Sequence, residues 1–256
     1  KGFAAGKPVM LHGVTGSGKT EIYIRLAKET LRKGQNVLYL VPEIALSRQL
    51  EERLSKHFKE RLITFHSGES TASRRNSAEL IRSMTDGRGN YIALCTRSGI
   101  FLPHHNLGLI IVDEEHDNSY KQDSPAPRYN GCDTALMLSR IHRSNIILGS
   151  ATPSFEESYN CITGRHEMIR LAERYHGAED AEIQIIDTKA ERRKRGMEGS
   201  FSRKLIEAIR QTIDQGQQVI QAHALRYKRV CPGIFLPDCG EDFRSGRPDI
   251  EALFNP

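Results

Sequence analysis

No run of apolar residues in this 256-residue chain is long enough to cross a membrane, which excludes a helical integral membrane protein. The first residues, KGFAAGKPVM, lack the apolar stretch of a secretory signal peptide. The expected protein is soluble and cytoplasmic, without a membrane partner. Its five cysteines, Cys95, Cys132, Cys161, Cys231 and Cys239, contain no C-x-x-C pair, so neither a disulfide framework nor a complete zinc site is expected. There is no internal repeat and no low-complexity tract. Lys plus Arg outnumber Asp plus Glu by 37 to 32, a formal +5 that is compatible with nucleic acid without requiring it.

What is present is a nucleotide signature. Gly13-Val14-Thr15-Gly16-Ser17-Gly18-Lys19-Thr20 fits G-x-x-x-x-G-K-[ST] in full and follows the short apolar run 8–11. Glycines let successive N–H groups curl inward around a polyphosphate, and the helix that opens at Thr20 adds the positive end of its dipole. Lys19 is the expected partner of the β and γ phosphates, and Thr20 of Mg²⁺.

About a hundred residues on, 107–112 (LGLIIV) reads as a buried strand that should aim Asp113-Glu114-Glu115-His116 at one edge. Alone, such a cluster is more often a solvated loop or helix start. Coupled to the glycine turn, Asp113 is expected to hold Mg²⁺ and Glu114 to orient or deprotonate the attacking water. A third strand, 145–148, runs into Gly149-Ser150-Ala151-Thr152, whose hydroxyls are placed to hydrogen-bond across to the acidic cluster. Ser150, Thr152 and His116 are thus candidates for coupling hydrolysis to motion.

Short strands alternate with helical stretches from residue 1 to about 161, which predicts an α/β fold: a parallel sheet with helices on both faces. The segment 21–33 places Ile22, Leu26, Ala27 and Leu31 on one face. Further strands are predicted at 36–41, 62–65 and 91–95, with a helix carrying Leu50, Leu54 and Phe58 that Ser47 could cap. From 171 to 200 the chain turns polar and glycine-broken, with the basic run Arg192-Arg193-Lys194-Arg195, and reads as an interdomain linker containing a strand at 182–187. A helix over 203–215 with Leu205, Ile206, Ile209 and Ile213 inward, then a strand from 217 to 220, should open a second α/β lobe. The tail 221–256 carries little periodicity and is expected to be poorly ordered.

The intervening segments narrow the identification. Pro42-Glu43-Ile44-Ala45-Leu46, His66-Ser67-Gly68, Thr96-Arg97-Ser98, Phe101-Leu102-Pro103, the run DEEHDNSYKQ from Asp113 to Gln122, Arg128-Tyr129 and GSATP from Gly149 to Pro153 together resemble the primosomal replication-restart DNA helicases of superfamily two. The resemblance implies a RecA-like P-loop NTPase lobe, ATP and Mg²⁺ as cofactors, and 3′ to 5′ unwinding of duplex DNA during replication restart and primosome assembly. Implied partners are single-stranded and forked DNA, other primosome proteins and single-strand binding protein. It also implies that Thr96 and Arg97 lie along the DNA backbone, and that Tyr120, Lys121, Gln122, Arg128 and Tyr129 form an aromatic-rich loop sensing single strands by stacking and phosphate contact.

Departures are equally specific. Gln221-Ala222-His223-Ala224-Leu225-Arg226 replaces the L-N-R-R-G-Y-like run of such helicases, Cys132 stands where they usually show arginine, and of four expected zinc ligands only Cys239 remains. The family zinc site is therefore not expected to be intact. The resulting expectation is a first RecA-like helicase domain at 1–165, a linker at 166–200, and an incomplete, divergent start of a second lobe at 201–256, with weak hydrolysis by this chain alone. The alternatives are another P-loop NTPase, or a nucleotide-responsive interaction module without turnover.

Overall fold

The computed structural model describes residues 3, 6–43, 48–84, 89–171 and 183–219, together with the backbone of 227–231 and 234–237. The chain divides into two compact units, Lys1–Glu179 and Asp180–Pro256.

The first unit is built on seven parallel strands: β1 (Val9–Gly13), β2 (Asn36–Leu40), β3 (Leu62–Phe65), β4 (Ile92–Cys95), β5 (Leu107–Val112), β6 (Asn145–Ser150) and β7 (Glu167–Leu171). Their order across the sheet is β3-β4-β2-β5-β6-β1-β7. Five helices join them: α1 (Lys19–Arg32), α2 (Arg48–Phe58), α3 (Thr71–Ser83), α4 (Gly131–His142) and α5 (Phe155–Ile162).

The central strands β2, β4 and β5 are buried along their whole length because both faces of the sheet are covered there. Successive side chains of β2 separate cleanly. Val37 and Tyr39 join Tyr23, Ile24, Ala27 and Leu31 of α1 and Leu54 and Phe58 of α2 in one core. Leu38 and Leu40 join Ile81 of α3 and Cys132 and Ala135 of α4 in the other. A one-residue slip of β2 would exchange the two sets, so the register is fixed by both layers at once.

Side chains close the helix starts. Ser70, Asn130 and Ser154 accept hydrogen bonds from the first turns of α3, α4 and α5. Among the helix starts described with their caps in the first unit, α1 is the exception: its N-cap is Gly18 and its first turn has no side-chain cap.

Several expected boundaries shift. β7 was not anticipated; only Leu171 of its residues is both apolar and placed to pack on the α1 side, and the strand pairs β1 along the sheet's edge. In the second unit, 183–187 and 217–219 form no strand, although both were expected to. Apolar content alone does not make a strand without a neighbour to pair with. The expected linker carries helix α6 (Thr188–Arg193), capped by Asp187, and β8 (Met197–Glu198), which pairs with β9 (Phe201–Ser202) just beyond it. Helix α7 (Arg203–Asp214) is present, but of its expected inward residues only Ile206 is buried, while Leu205 and Ile213 are exposed. In the tail, β10 (Tyr227–Cys231) pairs antiparallel with β11 (Ile234–Pro237). The expected cap Ser47, the segment 44–46 and the remainder of 221–256, with the side chains on which the zinc expectation rests, lie outside the described residues. Among the described residues, no helix is long and apolar enough to cross a membrane.

One half-buried imidazole gives the first unit a pH dependence. His104 stacks on Tyr91, whose hydroxyl is 3.2 Å from Nδ1, while Nε2 lies 2.8 Å from the Gly99 carbonyl oxygen. Burial pushes its pKa down to about 4, and the neighbouring His142 and His105 add to the shift. The unfolded chain protonates this residue near pH 6.5, so between that value and about 4 the unfolded state binds more protons and the fold loses stability as pH falls. The contribution is on the order of 3 kcal/mol at most. Urea unfolding at pH 7 and pH 4.5 should show a smaller loss for His104→Gln than for the unmodified chain; equal losses would exclude His104 as a source.

Candidate nucleotide-binding site

The glycine turn follows β1 because the chain must reverse tightly there. At Gly13 an added Cβ would sit 2.5 Å from Ser17 Oγ and 3.1 Å from Leu171 Cβ. Gly16 and Gly18 have φ of 80° and 87°, the left-handed region that favours glycine. Lys19 opens α1 at only 8 % exposure, and its Nζ donates to the Gly13 carbonyl at 2.7 Å. Ser17 Oγ is buried in the turn without a hydrogen-bond partner. Thr20 is the next helical residue, half-buried. Uncapped N–H groups, an orphaned hydroxyl and a buried ammonium therefore converge on one small turn, which is the donor set a polyphosphate requires.

The acidic turn does not descend from a strand next to β1, because β6 lies between β1 and β5. The two tips nevertheless meet. Lys19 Nζ is 3.8 Å from Glu114 Oε1. Asp113 accepts at Oδ1 from the Tyr23 hydroxyl (3.1 Å) and from the Glu114 amide (3.1 Å), and at Oδ2 from the Tyr39 hydroxyl (3.3 Å). Burial raises the pKa of Asp113 above the usual carboxylate range, with Glu114 adding to it, while Tyr23 and Lys19 act the other way. Both tyrosine hydroxyls are held well above their ordinary pKa by burial, then by Asp113, and so remain neutral donors. Glu114 has φ of 47°, which costs a non-glycine residue about 1–2 kcal/mol. The strained turn separates Glu114 from Asp113 at the end of a rigid strand.

Of the four polar side chains expected at one edge, Glu115 is turned away. Its carboxylate accepts from the Ser154 amide (2.8 Å) and hydroxyl (3.1 Å) at the start of α5, while its own amide donates to the Gly149 carbonyl. His116 Nδ1 lies 2.7 Å from Ser150 Oγ and 3.7 Å from Glu114 Oε2, and Ser150 Oγ also accepts from the Thr152 amide. Thr152 joins this chain through its backbone; no side-chain bond links it to the acids.

The residues expected to meet DNA divide into two groups. Thr96 is buried, and Arg97 Nη1 is committed to the carbonyls of Ser119 (2.7 Å) and Lys121 (2.8 Å). Tyr120 is 1 % exposed, and its hydroxyl donates to the Asp113 carbonyl at 2.7 Å, so the ring has no face to offer a base. That placement corrects the expectation that Tyr120 stacks on single strands: the ring is core. Lys121 and Arg128 are exposed, and Gln122 braces the loop through the Pro125 and Pro127 carbonyls. Tyr129 packs edge-on against Phe101, with the Arg97 guanidinium 5.6 Å from its ring centroid.

Sequence reasoning missed Tyr23 and Tyr39, and it read Gly149 only as part of the run before Thr152, not as a residue that makes room for Tyr23. An added Cβ at Gly149 would fall 1.7 Å from the Tyr23 hydroxyl and 3.3 Å from Asp113 Oδ1, so this glycine is what lets Tyr23 reach the acid. Gly149→Ala should lower the unfolding free energy in urea by about 1–3 kcal/mol. Tyr23→Phe in the same chain should restore part of that loss; strict additivity of the two changes would contradict the clash.

The DEAD/DEAH box helicase family profile matches residues 2–160. Over 237 residues, 93% of this chain, the sequence is 38% identical to replication restart protein PriA of Rickettsia felis. Over 249 residues, 97% of this chain, it is 37% identical to the Bacillus subtilis protein of the same name. The chain spans only 35% and 30% of those relatives. Among solved structures, RecG bound to a three-way DNA junction aligns with 82% of this chain and 25% of its own at a TM-score of 0.52 and 16% identity, a likeness of fold. The parallel sheet, with its glycine turn facing an acidic turn across β6, thus has the RecA-like form. Because the profile match spans more than half of its residues, the chain belongs to the DEAD/DEAH box helicase family.

Proposed function

We propose that the chain carries the nucleotide-binding lobe of an ATP-dependent DNA helicase, of the kind that unwinds duplex 3′ to 5′ in replication restart and primosome assembly. The observation that supports this most directly is the approach of Lys19 Nζ to Glu114 Oε1 at 3.8 Å, beside an Asp113 carboxylate already held by three donors. The similarity to PriA proteins supports the DNA substrate and the cytoplasmic setting. On this reading the lobe is 1–165, a linker is 166–200 and a second lobe opens at 201–256; the break between compact units after Glu179 falls inside that linker.

The residues fit a bound nucleotide. The main chain of Gly13, Val14, Thr15, Gly16, Ser17 and Gly18 would donate to the phosphates, and the unpartnered Ser17 hydroxyl would gain an acceptor. Lys19 exchanges the Gly13 carbonyl for a phosphate oxygen, a stronger acceptor because it is charged. Thr20 and Asp113 would hold Mg²⁺, which when bound neutralises phosphate charge. Glu114 takes the proton of the attacking water. Ser150, between His116 and the Thr152 amide, would transmit a movement of the acidic turn to the segment before α5. Lys121, Arg128, Gln122 and Tyr129 would meet single-stranded or forked DNA, with Arg97 and Thr96 shaping that loop from beneath. Primosome proteins and single-strand binding protein are the partners the PriA similarity suggests.

The lobe alone should turn over ATP slowly, because a trans-acting arginine on a second lobe is worth about 10³-fold or more in such enzymes. Phosphate release, measured with and without single-stranded DNA, should be lowered about 10²-fold by Lys19→Ala and by Glu114→Gln. Turnover of Lys19→Ala equal to that of the unmodified chain would contradict the assignment.

A further inference from the structure

Asp113 sits in unusual company for a metal-holding acid. Tyr23 arises from α1 one turn past the glycine turn, and Tyr39 from the penultimate position of β2; the two elements pack in one core, and the two rings meet edge to face with centroids 5.6 Å apart. Both rings are fully buried, so their hydroxyls must find acceptors inside the protein. Each finds a different oxygen of the same carboxylate. Burying a tyrosine to aim its hydroxyl, where a phenylalanine would fill the same space, costs desolvation that the hydrogen bond has to offset. Two such residues on one acid are more than packing requires.

An ionised carboxylate has about four acceptor positions. Oδ1 uses two, for the Tyr23 hydroxyl and the Glu114 amide, and Oδ2 uses one, for the Tyr39 hydroxyl. A single acceptor position is left, on Oδ2. Free rotation of the carboxylate about its own bond would break all three bonds at once. Gly149, which clears the path of Tyr23, makes the same arrangement sterically possible.

We propose that Tyr23 and Tyr39 are positioning residues for the metal of the nucleotide site: together they fix the Asp113 carboxylate in one rotamer and restrict it to one open acceptor position, on Oδ2. The inference rests on the reading of Asp113 as a Mg²⁺ residue. Its consequence is a carboxylate preorganised before nucleotide and metal arrive, serving as a monodentate acceptor for the ion or a water on it. Losing either hydroxyl leaves the acid on two of its three bonds, loosens its rotamer and opens a second acceptor position, and loss of such an outer partner typically weakens metal binding by about 10- to 100-fold.

The test is a Mg²⁺ titration of the whole chain at saturating ATP, read as the rise in melting temperature, for the unmodified chain, Tyr23→Phe, Tyr39→Phe and Asp113→Asn. Steady-state phosphate release is recorded along the same titration. Each phenylalanine variant keeps its ring and is expected to bind ATP without metal as the unmodified chain does. Its Mg²⁺ midpoint should move up by about 10- to 100-fold, and most of the turnover should return at high Mg²⁺. A role in packing alone would lower the metal-free melting temperature and leave the midpoint in place, which overturns the proposal. If Asp113→Asn shifts the midpoint while both tyrosine variants do not, the positioning role fails and the site assignment stands. If Asp113→Asn leaves the midpoint unmoved, the site assignment itself fails. Should one tyrosine variant not fold, the other carries the same test.

Discussion

The structure turns on placing one cation and two carboxylates at the carboxyl edge of a parallel sheet without leaving any of them stranded. Lys19 is nearly buried, and an unpaired buried ammonium would cost several kcal/mol. It is satisfied by the Gly13 carbonyl and the approach of Glu114. Asp113 is satisfied by two phenols and an amide. Much of the local architecture can be read as what this arrangement demands. Gly13 and Gly149 are small because Ser17 and Tyr23 occupy the adjoining space, and Glu114 takes a left-handed backbone so that the two acids diverge from one strand end.

From that cluster two short connections lead outward along the same turn. Glu115 reaches the N-terminus of α5 through both the amide and the hydroxyl of Ser154, and His116 reaches Ser150 at the end of β6. A third leads through the Tyr120 hydroxyl, which binds the Asp113 carbonyl, to the loop that Arg97 grips by the carbonyls of Ser119 and Lys121. On the proposed function, these are the physical routes by which a change at the phosphates would be felt at the surface loop of Lys121, Arg128 and Tyr129. Tyr120 thereby exchanges its anticipated place on the surface for one in the core, at the joint between acid and loop.

The buried elements were legible because burial writes itself into the pattern. Residues 107–112 carry an apolar run buried along its whole length and form a strand with those bounds, and the glycine turn carries φ requirements that few sequences meet by chance. What could not be read were relations between distant residues. Nothing in the spacing of Tyr23 and Tyr39 says that both hydroxyls end on Asp113, since each looks like one more apolar position on an element facing the core. β6 comes between β1 and β5 because strand order is set by crossovers, which periodicity does not encode. Isoleucines at 183 and 185 suggested a strand, yet both are exposed, with no strand partner among the described residues. The same holds for α7, where an amphipathic sequence leaves Leu205 and Ile213 outside.

The most direct test of the central claim is a crystal structure of the chain with Mg²⁺ and a non-hydrolysable ATP analogue. The account predicts the triphosphate inside the Gly13 to Thr20 turn, Lys19 Nζ transferred from the Gly13 carbonyl to a phosphate oxygen, and the ion between Thr20 and Oδ2 of Asp113. An analogue bound elsewhere, with Lys19 still on Gly13 and the acidic turn untouched, would contradict it.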